Sequence, residues 1–74
     1  MPKAYIMIDV DPGTEKAVQD AAIALAGVQM VHQVTGDHDL IAYIDAEPYE
    51  EFAVVLSNIR KLPGVRDTDS QLVL

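Results

Sequence analysis

The sequence predicts an α+β fold of element order β-α-β-β-α-β, a four-stranded antiparallel sheet with two helices on one face. Three observations predict it. Around residues 18–25 and 52–59, apolar side chains recur at i, i+3, i+4 and i+7, the spacing of a helix with one buried stripe. Three other stretches alternate at period two, and a fourth closes the chain in Leu72-Val73-Leu74. Gly, Pro or Asp punctuates the junctions between these stretches.

Each element follows from its residues. Lys3–Val10 reads as a strand with Ala4, Ile6, Ile8 and Val10 on one face and Tyr5, Met7 and Asp9 on the other. Asp11-Pro12-Gly13 is turn chemistry, and Thr14 is placed to cap a helix whose first turn holds Glu15. That alanine-rich helix is expected over 14–26, with Val18, Ala21, Ala22 and Leu25 inward and Gly27 as its stop. Residues 28–35 form the second strand, with Val28, Met30, His32 and Val34 expected to share a face. Gly36-Asp37-His38-Asp39 turns the chain into a third strand, Leu40–Asp45, completing a hairpin. Pro48 suits the first helical position, and the carboxylates of Glu47, Glu50 and Glu51 suit the positive end of a helix. Phe52, Val55, Leu56 and Ile59 make the buried stripe, and Arg60 and Lys61 face the negative end. Pro63-Gly64 ends the helix, and 65–74 is the last strand. This order is the ferredoxin-like split βαβ pattern.

At 74 residues the chain is a single domain, 1–74. A domain of this size buries only roughly 60–65% of its unfolded surface, so extra burial is expected from a partner subunit. The absence of cysteine excludes disulfides and thiolate metal sites. A formal net charge of −7, with no cluster of cations, argues against direct nucleic-acid binding and against anionic membranes. The opening Met1-Pro2-Lys3 carries no targeting signal, and the longest apolar run, 21–28, falls far short of the ~18 residues of a spanning helix. A cytoplasmic location is the expectation.

With both helices on one side, Tyr5, Met7, Ile41 and Tyr43 would lie bare on the other. Burying each is worth roughly 1.5–3 kcal/mol, a large share of the ~5–15 kcal/mol that stabilises a domain. The expectation is a homodimer with its sheets face to face, closed as a dimeric α+β barrel.

The stretch Val34-Thr35-Gly36-Asp37-His38-Asp39-Leu40 carries the most chemistry. Gly36 can take positive φ, and successive turn amides can form an anion-binding nest. Amides for a carboxylate beside Asp for an ammonium would suit a zwitterion. The alternative is an ordinary solvated hairpin turn. His38 with Asp37 and Asp39 invites a metal reading, but consecutive turn residues do not readily converge on one ion, and no metal or other cofactor is expected. His32, among apolar neighbours, reads as a core or interface group. Asp67 and Asp69 alternate with Thr68 and are expected to face solvent.

The hairpin VTGDHDL and the closing LPGVRDTDSQLVL, in this order, resemble the ligand-binding domain of the Lrp/AsnC family, also called the regulation of amino acid metabolism module. That domain typically shows Val-Thr-Gly-x-x-Asp, a Leu-Pro-Gly-Val helix end, and Thr-x-Thr before a Val-Leu ending. The resemblance covers essentially the whole chain. It implies a stand-alone form without the helix-turn-helix half, a sheet-to-sheet dimer, often an octameric ring, and an amino-acid effector held between dimers. It also implies a binding set: Gly36 and Asp39 at the turn, Asp37 and His38 in its variable middle, and Thr68 and Ser70 on the last strand. Ser70 stands where the second Thr is usual, keeping the hydroxyl and losing a methyl.

The function expected is therefore a binding module, not an enzyme, that senses an amino acid and modulates full-length Lrp/AsnC regulators by co-assembly. The alternative is a small dimeric enzyme of the cofactor-free monooxygenase kind, with His32 or His38 and Asp39 as acid and base. A third possibility is a structural partner that binds nothing. No nucleophile–base–orienter set is present, and one Phe without Trp gives little to wall a bulky substrate.

Overall fold

The computed structural model describes residues 3–74. Met1 and Pro2, part of the opening read for a targeting signal, lie outside the described residues. The elements are β1 Lys3–Val10, α1 Glu15–Ile23, β2 Val28–Gln33, β3 Leu40–Asp45, α2 Tyr49–Arg60 and β4 Val65–Leu72. The strands form one antiparallel sheet of order β2-β3-β1-β4.

Alternation places the core. Ala4, Ile6 and Ile8 of β1 pair with Ile44, Ala42 and Leu40 of β3, and all six are fully buried. Val18 and Ala22 of α1 and Phe52, Val55 and Ile59 of α2 pack onto this face, with Leu25 and Leu56 partly buried beside them. The apolar stripes thus become the helix–sheet interface, and both helices cover the same side.

The sheet is open, which corrects the expected dimeric α+β barrel. β2 and β4 are opposite edges with one neighbour each, and no strand pair joins them. Closing a barrel links strand number, tilt and stagger, and this four-stranded sheet, with both helices packed on one face, leaves its two edge strands unjoined.

A second correction concerns β2. Val28 pairs with Ile44, but Met30 pairs with Tyr43, so the ladder slips at Gln29. The bulge reverses the alternation: Val28 and Val31 are buried under α1, whereas Met30 and His32 lie on the open face beside Tyr43 and Ile41. His32 is exposed and is not a core residue.

Local differences are smaller. α1 ends at Ile23, not 26, because the chain tightens through Leu25 N–H to Ala22 O (3.1 Å) and Val28 N–H to Leu25 O (3.2 Å). The Thr14 hydroxyl donates back to Asp11 O (2.6 Å) and makes no side-chain cap bond. Pro48 stands at the N-cap, one residue outside α2. β2 stops at Gln33, since Val34 N–H to Asp39 O (3.0 Å) already begins the turn.

Two features bring the ends of the elements together at one corner. Gly64 has φ +97, and a Cβ there would lie 2.9 Å from Thr14 Oγ1 and 3.1 Å from Val18 Cγ2, so the α2–β4 turn can press against the start of α1. Asp11 N–H donates to Gly64 O at 2.8 Å. Next to this contact the β1–β4 ladder slips: Asp9 pairs with Asp67 and Val10 with Val65, leaving Arg66 as the extra residue of a bulge.

Candidate functional site

The hairpin turn predicted to bind ligand caps the corner where β1 ends. Gly36 has φ +105 and open space where a Cβ would stand. Asp39 N–H donates to Ile8 O at 3.0 Å, the last main-chain rung between the hairpin and β1. One step further, β3 has no main-chain acceptor to offer, and the Asp39 carboxylate supplies it: Oδ2 accepts the Val10 N–H at 2.9 Å. Asp39 therefore extends the ladder with its side chain, and its second oxygen stays available. Among the described residues, the amides of 35–38 donate to no backbone or side-chain acceptor.

His38 Nδ1 lies 2.9 Å from Asp9 Oδ1, both side chains about one-third exposed. The hydrogen bond to Asp9 raises the imidazole pKa above its ordinary 6.5. Burial opposes the shift, while the fields of Asp9, Asp69 and Asp37 reinforce it.

An open cleft of about 410 Å³ lies here, lined by Asp9, Val10, Asp37, Asp39, Arg66 and Asp67. Four carboxylates against one guanidinium make it a cation-favouring surface. A second cleft of about 220 Å³ adjoins it, lined by Arg60, Val65, Arg66, Asp67 and Thr68. Arg60 Nε donates to Thr68 Oγ1 at 3.0 Å across this second cleft.

The structure thus brings some predicted residues together and separates others. Asp37 and Asp39 line the acidic cleft and His38 sits on Asp9. Thr68 lines the neighbouring cleft, and Gly36 and Ser70 line neither. Registry explains the division: Thr68 and Ser70 pair with Ile8 and Ile6 and so belong to the helix-covered face, whereas Asp67 and Asp69 pair with Asp9 and Met7 on the open face. Arg66, Asp67, Asp9 and Arg60 were not anticipated as site residues. Only Asp9 had a signal in the sequence, its place on the outer face of β1. The others depend on the bulge at Arg66 and on where α2 ends.

Tyr5 and Tyr43 are directly paired on the open face, their rings 4.9 Å apart and tilted. With Met7, Met30 and Ile41 they make an apolar surface edged by the carboxylates of Asp9, Asp67 and Asp69.

Comparison with known proteins was decisive for the family: the Lrp/AsnC ligand binding domain profile matches residues 3–74. The chain is a member of the Lrp/AsnC ligand-binding domain family. This Lrp/AsnC domain is 31% identical over 71 residues to the HTH-type transcriptional regulator FL11 of Pyrococcus abyssi, an alignment spanning 96% of the chain and 47% of the regulator. It spans about half the length of the curated regulators it matches first. Among solved structures, TTHA0845 from Thermus thermophilus superposes with TM-score 0.90 and 32% identity, over 100% of this chain and 94% of that one. The regulator NMB0573 from Neisseria meningitidis, solved as an L-Met complex, shares the fold at TM-score 0.82 and 21% identity, over 99% of this chain and 49% of that one. The matched family is described as a ligand-binding domain. No described helix is long and apolar enough to cross a membrane.

Proposed function

We propose that this Lrp/AsnC domain is an amino-acid sensor that associates through its open sheet face and holds its effector at the corner formed by the 36–39 turn and β4. The reading is carried by one observation: in a domain of this family, the hairpin turn whose Asp37 and Asp39 line a cleft also leaves the amides of 35–38 without protein partners among the described residues. Asp37 and Asp39 offer carboxylates to an ammonium, and Thr68 and Ser70 offer hydroxyls from the adjoining strand. Thr68 and Ser70 lie on the helix-covered face of the sheet while Asp37 and Asp39 line the cleft at its corner, so a second copy of the chain would complete the walls around a ligand there. The L-Met complex of the related regulator supports an amino acid as the ligand class.

The apolar surface around Tyr5 and Tyr43 supports self-association, since each such side chain buried contributes roughly 1.5–3 kcal/mol. A ligand gripped between copies stabilises the assembly by RT ln(1 + [L]/Kd), so assembly state reports metabolite level. Mixed assembly with DNA-binding relatives is the route by which such a signal would reach transcription.

The test is calorimetric titration and thermal melting against the twenty L-amino acids, with sedimentation at each condition. At least one amino acid should raise the melting temperature and shift the sedimentation profile. No heat and no shift with any of them would reject the sensor reading and favour a purely structural partner.

A further inference from the structure

A free amino acid presents one carboxylate and one ammonium, so its receptor needs a group of each sign. The acidic cleft meets only half of that need. Asp37 and Asp39 flank the turn amides and Asp9 and Asp67 face the same space, so a ligand carboxylate entering there is repelled. The whole chain has five Lys and Arg residues. Lys16 is bound to Asp20 on α1, and Lys3 stands at the opposite end of β1, paired in register with Asp45. Only Arg60 and Arg66 line either cleft.

Their placement is specific. Arg66 is the extra residue of the β1–β4 bulge, and it borders both clefts together with its neighbour Asp67. Its Nε is 3.5 Å from Asp11 Oδ1, long for a hydrogen bond, so Asp11 steadies the guanidinium without filling its donors. Arg60 is held by its Nε–H to Thr68 Oγ1, leaving its two terminal nitrogens without a partner among the described residues. Thr68 Oγ1 accepts that bond, so its own hydroxyl hydrogen is free to donate.

We propose that Arg66 and Arg60, with the Thr68 hydroxyl, are the carboxylate-recognising flank of the effector site, and that the ligand lies across the Arg66 bulge with its ammonium toward Asp37 and Asp39. The proposal rests on the amino-acid reading above and names the residues that select for a free α-carboxylate.

The experiment titrates the wild-type protein with the twenty L-amino acids, then compares the tightest of them with its own α-carboxamide, which has the same size and no negative charge. Wild-type protein should prefer the acid by about tenfold or more, the effect of a charge-assisted hydrogen bond. Arg66→Gln and Arg60→Gln should each weaken the acid by about tenfold and leave the carboxamide within about twofold of its wild-type value. Arg66→Lys should recover part of the loss. Melting curves establish that each variant is folded, and Arg60→Gln, at an exposed helix end, carries the test if Arg66→Gln is not. Unchanged acid binding in the folded variants overturns the assignment while leaving the sensor reading intact. Equal weakening of acid and carboxamide also overturns it, because that marks a structural role. Binding of none of the twenty by wild-type protein instead removes the amino-acid reading on which the proposal stands.

Discussion

Asp39 has a duty in the fold that exists before any ligand arrives, and Asp39→Ala measures it. Val10 is the last residue of the central strand β1, and on the β3 side its N–H has no main-chain acceptor. The Asp39 carboxylate is its partner at 2.9 Å. Removing an acceptor from a buried donor costs about 1–3 kcal/mol, more when the acceptor is charged. Asp39 is half-buried, so water can reach part of the vacated space and the expected loss is about 1–2 kcal/mol. For a domain of this size, 1 kcal/mol corresponds to roughly 4–8 °C, so the melting temperature should fall by about 5–15 °C. Asp39→Asn keeps an acceptor oxygen without its charge and should lose about half as much. The assay is a ligand-free thermal melt by circular dichroism with urea titration to confirm the free energy. A melting temperature for Asp39→Ala within 2 °C of wild type, a bound set on the ~4–8 °C scale above, would refute the view that this carboxylate completes the sheet. Because no ligand is present, the result is independent of any role in binding.

Three further outcomes follow from the same structure. Gly64→Ala should destabilise by about 1–3 kcal/mol, because φ +97 is strained for alanine and the new Cβ meets Thr14 at 2.9–3.1 Å; urea denaturation reads it. The His38–Asp9 pair should make stability depend on pH. The folded pKa is raised, so the pair's contribution is fully present below pH 6.5, the ordinary value, and is lost as pH rises through the folded pKa. Melts from acid to neutral and mildly alkaline pH should show that decline, Asp9→Asn should flatten it, and a ring-proton NMR titration giving a pKa at or below 6.5 would contradict it. Tyr43→Asp, placing a charge in the middle of the apolar open face, should shift the sedimentation profile to monomer while the isolated fold survives; unchanged association would move the contact elsewhere.

Much of this protein was legible in its residues. The order of elements, both helix stripes and the two-faced alternation of β1 and β3 followed from local periodicity, because an apolar side chain at the right phase has only one favourable direction to point. The family was legible too, through the VTGDHDL turn and the LPGVRDTDS ending. The errors share a cause. Met30 and His32 were grouped on one face with Val28, and they part from it because a bulge at Gln29 breaks period two, and nothing in the chain's composition marks that position. The barrel was expected because a greasy second face suggests closure, whereas closure depends on strand count and stagger.

The candidate site divides in the same way. That the 36–39 turn would offer amides and carboxylates was written in Gly36 and its aspartates. That Thr68 and Ser70 alternate with Asp67 and Asp69 was written in period two; that the hydroxyls take the helix-covered face and the aspartates the open one was set by registry against β1, a relation between segments some 60 residues apart in the chain. The pairing of His38 with Asp9, of Asp39 with the Val10 N–H, and of Arg60 with Thr68 joins residues eight to 29 positions apart. Sequence periodicity determines which way a side chain faces within its own element. Which side chains meet is decided by strand register, bulges and the points where helices end, and those are properties of the packed whole.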